Sequence, residues 1–233
     1  MDIHVVTAFP TMVTAPLQQS MLERARDKKL VDYHIYDLRD FAPGKHRQID
    51  DYPYGGGPGM VLKPEPIINC VESILAKYSS FSTLIILLTP QGETYQQQKA
   101  HALSQFEQLI FICGHYKGVD ERVQEYFSPE LISIGNYVLS SGEIAALVII
   151  DSVVRLIPGV LTDFDSAASD SFEGELLDYP LYTRPATYRG MSVPEVLLSG
   201  NHQKINEWRR LKSIERTKIK SEKESFGPGF EAK

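Results

Sequence analysis

Two unbroken apolar runs, Leu84-Ile85-Ile86-Leu87-Leu88 and Leu109-Ile110-Phe111-Ile112-Cys113, constrain this chain more than any other feature. A strand with one wet face alternates apolar and polar side chains, so a strand apolar at every position needs cover on both sides. Shorter strand patterns at 3–7, 31–38 and 131–134 alternate with helical ones at 17–28, 65–77, 95–103 and 141–156. The 65–77 segment places Ile68, Val71, Ile74 and Leu75 on one face, and Pro158-Gly159 stops the last helix. The alternation predicts an α/β fold with a mostly parallel sheet and helices on both faces. Ligands of such sheets bind at the carboxyl ends of the strands. Thr89-Pro90-Gln91-Gly92, Gly114-His115-Tyr116 and Gly135-Asn136-Tyr137 all fall there.

Two glycine-rich segments fit neither strand nor helix periodicity. Residues 51–60 read Asp-Tyr-Pro-Tyr-Gly-Gly-Gly-Pro-Gly-Met, and residues 134–143 read Ile-Gly-Asn-Tyr-Val-Leu-Ser-Ser-Gly-Glu. Glycine keeps side chains away from the backbone, as a chain must where another group approaches its N–H and C=O groups closely. One cluster alone reads as a turn; two, each beside aromatic and ionisable residues, point to a site.

A net charge of −6 argues against a general polyanion binder. The positive charge is concentrated near the C-terminus, where a helical stretch at about 202–220 carries Lys204, Arg209, Arg210, Lys212, Arg216, Lys218 and Lys220. Such a helix is either a solvated face or a polyanion-facing surface. Segment 161–171, rich in Asp, Ser and Ala, reads as a mobile linker. The expected organisation is a domain at 1–160, a linker at 161–175 and a helical module at 176–233. Cys70 and Cys113 lie in apolar contexts and read as buried thiols of a reducing compartment. With neither a leader pattern nor a membrane-length apolar run, the cytoplasm is the default.

Familiar chemical motifs are absent. No Gly-x-Gly-x-x-Gly follows a strand, Gly44-Lys45-His46 lacks the remaining phosphate-loop residues, and no Gly-x-Ser-x-Gly elbow occurs. The histidines are scattered without metal-ligand spacing, so no metal site is expected, and His46 on its own reads as structural. On their own merits Asp51 is equally a turn carboxylate, Arg155 equally a charge at a helix end, and Asp170 a solvated linker residue.

Taken together, His46-Arg47, Asp50-Asp51, the 53–60 loop, Pro90-Gln91-Gly92, Cys113-Gly114, Gly118-Val119-Asp120-Glu121-Arg122, the 134–143 segment, Asp151 to Arg155, Asp170-Ser171-Phe172, Tyr182-Thr183-Arg184-Pro185 and the 193–202 segment carry a resemblance. In order and spacing they resemble the bacterial tRNA (guanine-N1)-methyltransferases, the TrmD family of the SPOUT superfamily. The match runs from the N-terminus to about Thr217. Where the residues alone predict an ordinary doubly wound sheet, the resemblance implies a SPOUT domain with a C-terminal trefoil knot and a small helical domain after it. It implies a homodimer with sites at the interface. S-adenosylmethionine would be held by Thr89, Pro90, Gln91, Gly92, Gly114, Ile134, Gly135, Asn136, Tyr137, Val138, Leu139 and Gly142. The substrate would be tRNA, methylated on the guanosine immediately 3′ of the anticodon where another guanosine precedes it. Asp170 would act as general base at N1 and Arg155 as the cation at O6; His46, Asp51, Tyr54, Gly55, Gly56, Gly59 and Arg184 would serve the tRNA.

The chain departs from the family pattern at several positions. Lys117 stands where the family commonly has a glutamate tied to magnesium, so a magnesium requirement is not carried over; Ser141, Asn136 and Ala145 replace a usual Gly, Asp and Pro. An active methyltransferase is the leading reading. A knotted tRNA-binding protein without catalysis and a dinucleotide-dependent enzyme are the alternatives, the last without its phosphate fingerprint.

Overall fold

A computed structural model describes residues 1–78, 82–161, 171 and 176–225 of the chain. The chain divides into two compact units, Met1–Thr162 and Asp163–Lys233. The expected linker at 161–175 lies outside the described residues apart from Leu161 and Ser171.

The first unit is built on strands β1 (Asp2–Thr7), β2 (Asp32–Asp37), β5 (Thr83–Thr94), β6 (Gln108–Cys113) and β7 (Glu130–Ser133). They form one sheet in the order β2-β1-β6-β5-β7, with every pairing parallel. The apolar runs are its centre. In β6, Leu109, Phe111 and Cys113 enter one core while Ile110 and Ile112 enter another. Helices α1 (Pro10–Leu17), α2 (Ser20–Asp27), α4 (Gln97–Leu103) and α6 (Glu143–Val154) supply the first core; α3 (Pro64–Lys77), α5 (Arg122–Phe127) and a 3-10 turn at Leu38–Phe41 supply the second. Cover on both faces is the reason the two runs tolerate no polar residue. Cys70 and Cys113 are both free and buried. Burial pushes the Cys70 thiol up to about 12 and holds that of Cys113 well above its usual range.

Local corrections to the sequence reading have identifiable causes. The helix expected at 17–28 is α2, which starts three residues later at Ser20, and a further helix not expected from the sequence, α1, precedes it from Pro10 to Leu17. Pro10 opens α1 as proline can, since a first-turn N–H has no partner inside the helix. The short helix α5 was not expected, because six residues give too little periodicity to read. A second small sheet, β3 (Asp50–Asp51) with β4 (Val61–Leu62), frames the first glycine segment.

The largest difference is in β5. It does not end at Leu88: Leu88 and Glu93 both pair with Ile132 of β7, so Thr89 to Gly92 loop out between them. A Cβ on Gly92 would stand 2.4 Å from the Ile132 nitrogen, which only glycine avoids.

In the second unit, β8 (Thr187–Tyr188) and β9 (Met191–Ser192) form a hairpin whose turn, Arg189-Gly190, has positive φ at both residues. Helices α7 (Glu195–Leu198) and α8 (His202–Ser225) follow. Arg209 stacks over Tyr179 and Trp208 lies beside Tyr182. The Arg184–Pro185 peptide is cis.

Candidate functional site

A cavity of about 460 Å³ opens at the excursion from β5 and at the carboxyl ends of β6 and β7. Its volume is that of a small-molecule site. Three loops build it. The β5 excursion contributes Thr89, Pro90 and Gln91; the segment after β6 contributes Gly114 to Val119; the segment after β7 contributes Ile134, Gly135 and Tyr137 to Gly142. Leu88, Ile132 and Ala145 close it from the apolar core, and Glu121 and Gln124 add polar groups.

The last two loops are laced together. Gly142 N–H donates to the Gly114 carbonyl at 2.8 Å, Ser141 bridges His115, and His115 Nδ1 donates to the Ser140 carbonyl at 2.8 Å. A Cβ on Gly142 would sit 2.9 Å from the Gly114 nitrogen and 3.0 Å from the Cys113 Cα. The wall of the cavity is therefore backbone against backbone. Gly135, at φ +148°, lies under the Tyr137 ring, whose hydroxyl donates to the Ile134 carbonyl.

Ten of the twelve positions expected to hold the cofactor line this one cavity. Gly92 and Asn136 do not: Gly92 packs under β7, and Asn136 is exposed. The first glycine segment stands at the cavity's edge, because Lys117 N–H donates to the Met60 carbonyl and Leu62 N–H to the Gly118 carbonyl, both at 3.0 Å. Gly55, Gly56 and Gly59 all have positive φ, and a Cβ on Gly59 would meet the Lys117 stem at 3.0 Å. Tyr54 is fully exposed, and Asp51 is exposed with its carboxylate accepting from Tyr52 N–H. His46 lies exposed in the turn before β3 and does not line the cavity.

Arg155 caps the carboxyl end of α6. The helix begins at the cavity and rises about 1.5 Å per residue, which puts the Arg155 backbone about 20 Å from Gly142 along the axis. Arg155 is thus not brought to the cavity of its own chain. Arg184 belongs to the second unit, and Asp170 lies outside the described residues.

Charged neighbours of the cavity are tightly held. Arg122 donates to both carboxylate oxygens of Asp120 at 2.8 Å, which holds the Asp120 carboxyl below its ordinary value and raises the guanidinium. Burial, then a hydrogen bond to Asp50, raises the Tyr116 hydroxyl.

Sequence reasoning missed two polar clusters. Thr7 at the end of β1 donates to Glu143 at the start of α6, both fully buried. They are separated by 136 residues, so no local pattern joins them. At the opposite ends of the strands, Asp2, His4 and His34 converge with metal-ligand atoms within 4.8 Å of one another. Spacing in sequence could not reveal them, because β1 and β2 bring them together across the sheet. His4 already has partners on both ring nitrogens: Gln108 donates to Nε2 at 2.9 Å, and Nδ1 faces the Tyr36 hydroxyl at 3.1 Å. His34 binds the Asp2 carboxylate at 2.8 Å. The cluster is a satisfied hydrogen-bond network.

Comparison with known proteins decides the family. The family model described as tRNA (Guanine-1)-methyltransferase TrmD matches residues 1–223. The chain belongs to the TrmD family. It is 54% identical over 217 residues to the tRNA (guanine-N(1)-)-methyltransferase of Geobacillus kaustophilus (strain HTA426), covering 93% of this chain and 88% of that protein. The enzymes of the same name from Shouchella clausii (strain KSM-K16) and Dehalococcoides mccartyi (strain ATCC BAA-2266 / KCTC 15142 / 195) are 55% and 52% identical, over 93% of this chain and 88% and 87% of theirs.

Proposed function

We propose that this protein is a tRNA (guanine-N1)-methyltransferase, taking its methyl group from S-adenosylmethionine bound in the cavity at the β5 excursion and the ends of β6 and β7. The observation that carries the reading is the cavity itself: ten residues from three loops, 89–91, 114 and 134–142, converge on one small-molecule-sized space walled by backbone. Bound there, the sulfonium supplies an electrophilic methyl group. The residues then have three tasks: align the nucleophile, remove its proton and neutralise developing charge.

Guanine N1 carries a proton and becomes nucleophilic when that proton leaves. Asp170 is proposed as the base that takes it, and Arg155 as the cation facing O6, where the negative charge then accumulates. Arg155 stands about a helix length from the cavity of its own chain. A site using both therefore draws them from two protomers, which supports a homodimer with composite sites at the interface. His46, Asp51, Tyr54, Gly55, Gly56, Gly59 and Arg184 are proposed to serve the tRNA, with the exposed basic residues of α8, among them Lys204, Arg210 and Lys218, meeting its phosphates.

The guanosine immediately 3′ of the anticodon is the proposed target, the SPOUT trefoil knot the proposed topology of the loops, and residues 176–233 the proposed tRNA-binding domain after the 161–175 linker. Backbone lacing of 140–142 against 113–115 is what supports the knot. No helix among the described residues is long and apolar enough to cross a membrane; the cytoplasm, where tRNA is found, is the proposed location.

Lys117 lines the cavity at the position where the family commonly has the glutamate tied to magnesium, and on that ground we propose a reaction that proceeds without the ion. Among the described residues, the one group of three potential metal ligands is Asp2, His4 and His34 at the other end of the sheet. The cavity instead carries Lys117, its stem against Gly59. We therefore assign the local positive charge to the Lys117 ammonium.

A methylation assay with S-adenosylmethionine and a tRNA transcript carrying both guanosines tests the reading, with mass spectrometry locating the methyl group. N1-methylguanosine formed in the presence of a chelator, and lost in Asp170→Ala, is the expected result. Tight tRNA binding with no methyl transfer would leave only an RNA-binding protein. Activity abolished by the chelator would refute the role given to Lys117.

A further inference from the structure

Among the described residues of the first unit, Glu143 is an acidic side chain whose surroundings the reading so far does not explain. It is fully buried, it belongs to no ion pair among the described residues, and only one of its oxygens is used, accepting from Thr7. The other, Oε2, is buried without a hydrogen-bond partner. Leaving a carboxylate so is strongly unfavourable unless something offsets it. The first turn of α6 offsets part, since its N–H groups and dipole favour negative charge. The remainder has no partner within the protein as described.

Its position suggests what the partner is. Glu143 lies between Gly142 and Ala145, both of which line the cavity, while Thr7 anchors it from β1. The hydroxyl of Ser141, on the other side of Gly142, is likewise buried without a partner. A buried carboxylate, away from screening water, thus stands behind the stretch of wall formed by Gly142 and Ala145, in a cavity that Lys117 and Glu121 also line. Under such conditions charge is felt over several ångströms.

We propose that Glu143 is the charge-selecting residue of the cavity, favouring a positively charged occupant over its neutral counterpart. The inference rests on the reading of the cavity as the S-adenosylmethionine site. The donor carries a sulfonium; once the methyl group has left, the electron pair of the carbon–sulfur bond stays on sulfur and the product, S-adenosylhomocysteine, is a neutral thioether. Apart from that charge the two ligands differ only by the transferred methyl group. Glu143 thereby holds the donor and releases the product, acting on the bound sulfur through the field and not by contact.

Calorimetry on the full chain tests this with both ligands. Glu143→Gln keeps the size and the acceptor for Thr7 but removes the charge. The expected result is a loss of about tenfold in S-adenosylmethionine affinity with S-adenosylhomocysteine changed less than about twofold. A structural role would weaken both equally, so equal losses, or none for either, overturn the proposal. A second measurement needs no variant. A donor analogue with a tertiary amine in place of sulfur should bind the wild-type protein with its amine pKa raised and with proton uptake; an unchanged or lowered amine pKa overturns the proposal. Wild-type protein that binds neither natural ligand overturns the reading of the cavity itself, a different outcome from either of these.

Discussion

Single atoms decide much of this molecule. Gly142 packs so closely on the chain after β6 that a methyl group there meets backbone, which cannot swing aside. Gly142→Ala is expected to cost about 1–3 kcal/mol of stability and at least tenfold in donor affinity, read by denaturant unfolding and calorimetry. His4 makes a separate prediction. Burial, reinforced by the neighbouring His34, pushes its pKa from 6.5 down to about 4. The unfolded chain then binds the extra proton first, so the neutral ring's contribution is complete above about 6.5 and is lost as pH falls toward about 4. Stability should drop by up to about 3 kcal/mol across that window, and His4→Gln, which can keep a hydrogen bond to Gln108, should flatten the slope in urea titrations. Neither residue advertises its role in sequence: the histidine gains its neighbours from β2 and β6, and Gly142 its close contact from a segment almost thirty residues earlier.

Among the elements, the buried strands β5 and β6 were legible because an apolar run admits one reading when cover lies on both sides. The bulge in β5 was not, because the strand continues after the excursion and Thr89 to Gly92 look like an ordinary loop. Helix α5 was missed as too short, yet its end is informative. Ser128 caps it in the left-handed conformation, φ 45° and ψ 52°, with its N–H donating to the Gln124 carbonyl. Glycine adopts that conformation without a Cβ penalty. Ser128→Gly should stabilise the protein by about 0.5–1 kcal/mol, visible as a higher midpoint in thermal or denaturant unfolding with unchanged donor affinity.

At the scale of the whole molecule, the separation of Arg155 from the cavity along α6 sets the strongest test of the composite site. Arg155→Ala and Gly142→Ala proteins should each be strongly impaired alone when assayed at limiting donor. Mixed after reversible dissociation, they should regain partial activity, since a heterodimer pairs an intact cavity from one protomer with an intact Arg155 from the other. An enzyme working within single chains would regain none.

From the sequence alone came the sheet with both faces covered, the three post-strand loops and, through the spacing of its motifs, the resemblance to the family that the comparisons establish. These are local in origin: hydrophobic periodicity, glycine content and motif order are written along the chain. Only the tertiary structure decided that ten positions from three loops enclose one cavity, that Arg155 stands a helix length away from it, and that Glu143 lies buried behind its wall with an oxygen to spare. Such facts depend on which distant segments touch, and side-chain burial is a property of the packed chain that no stretch of residues carries by itself.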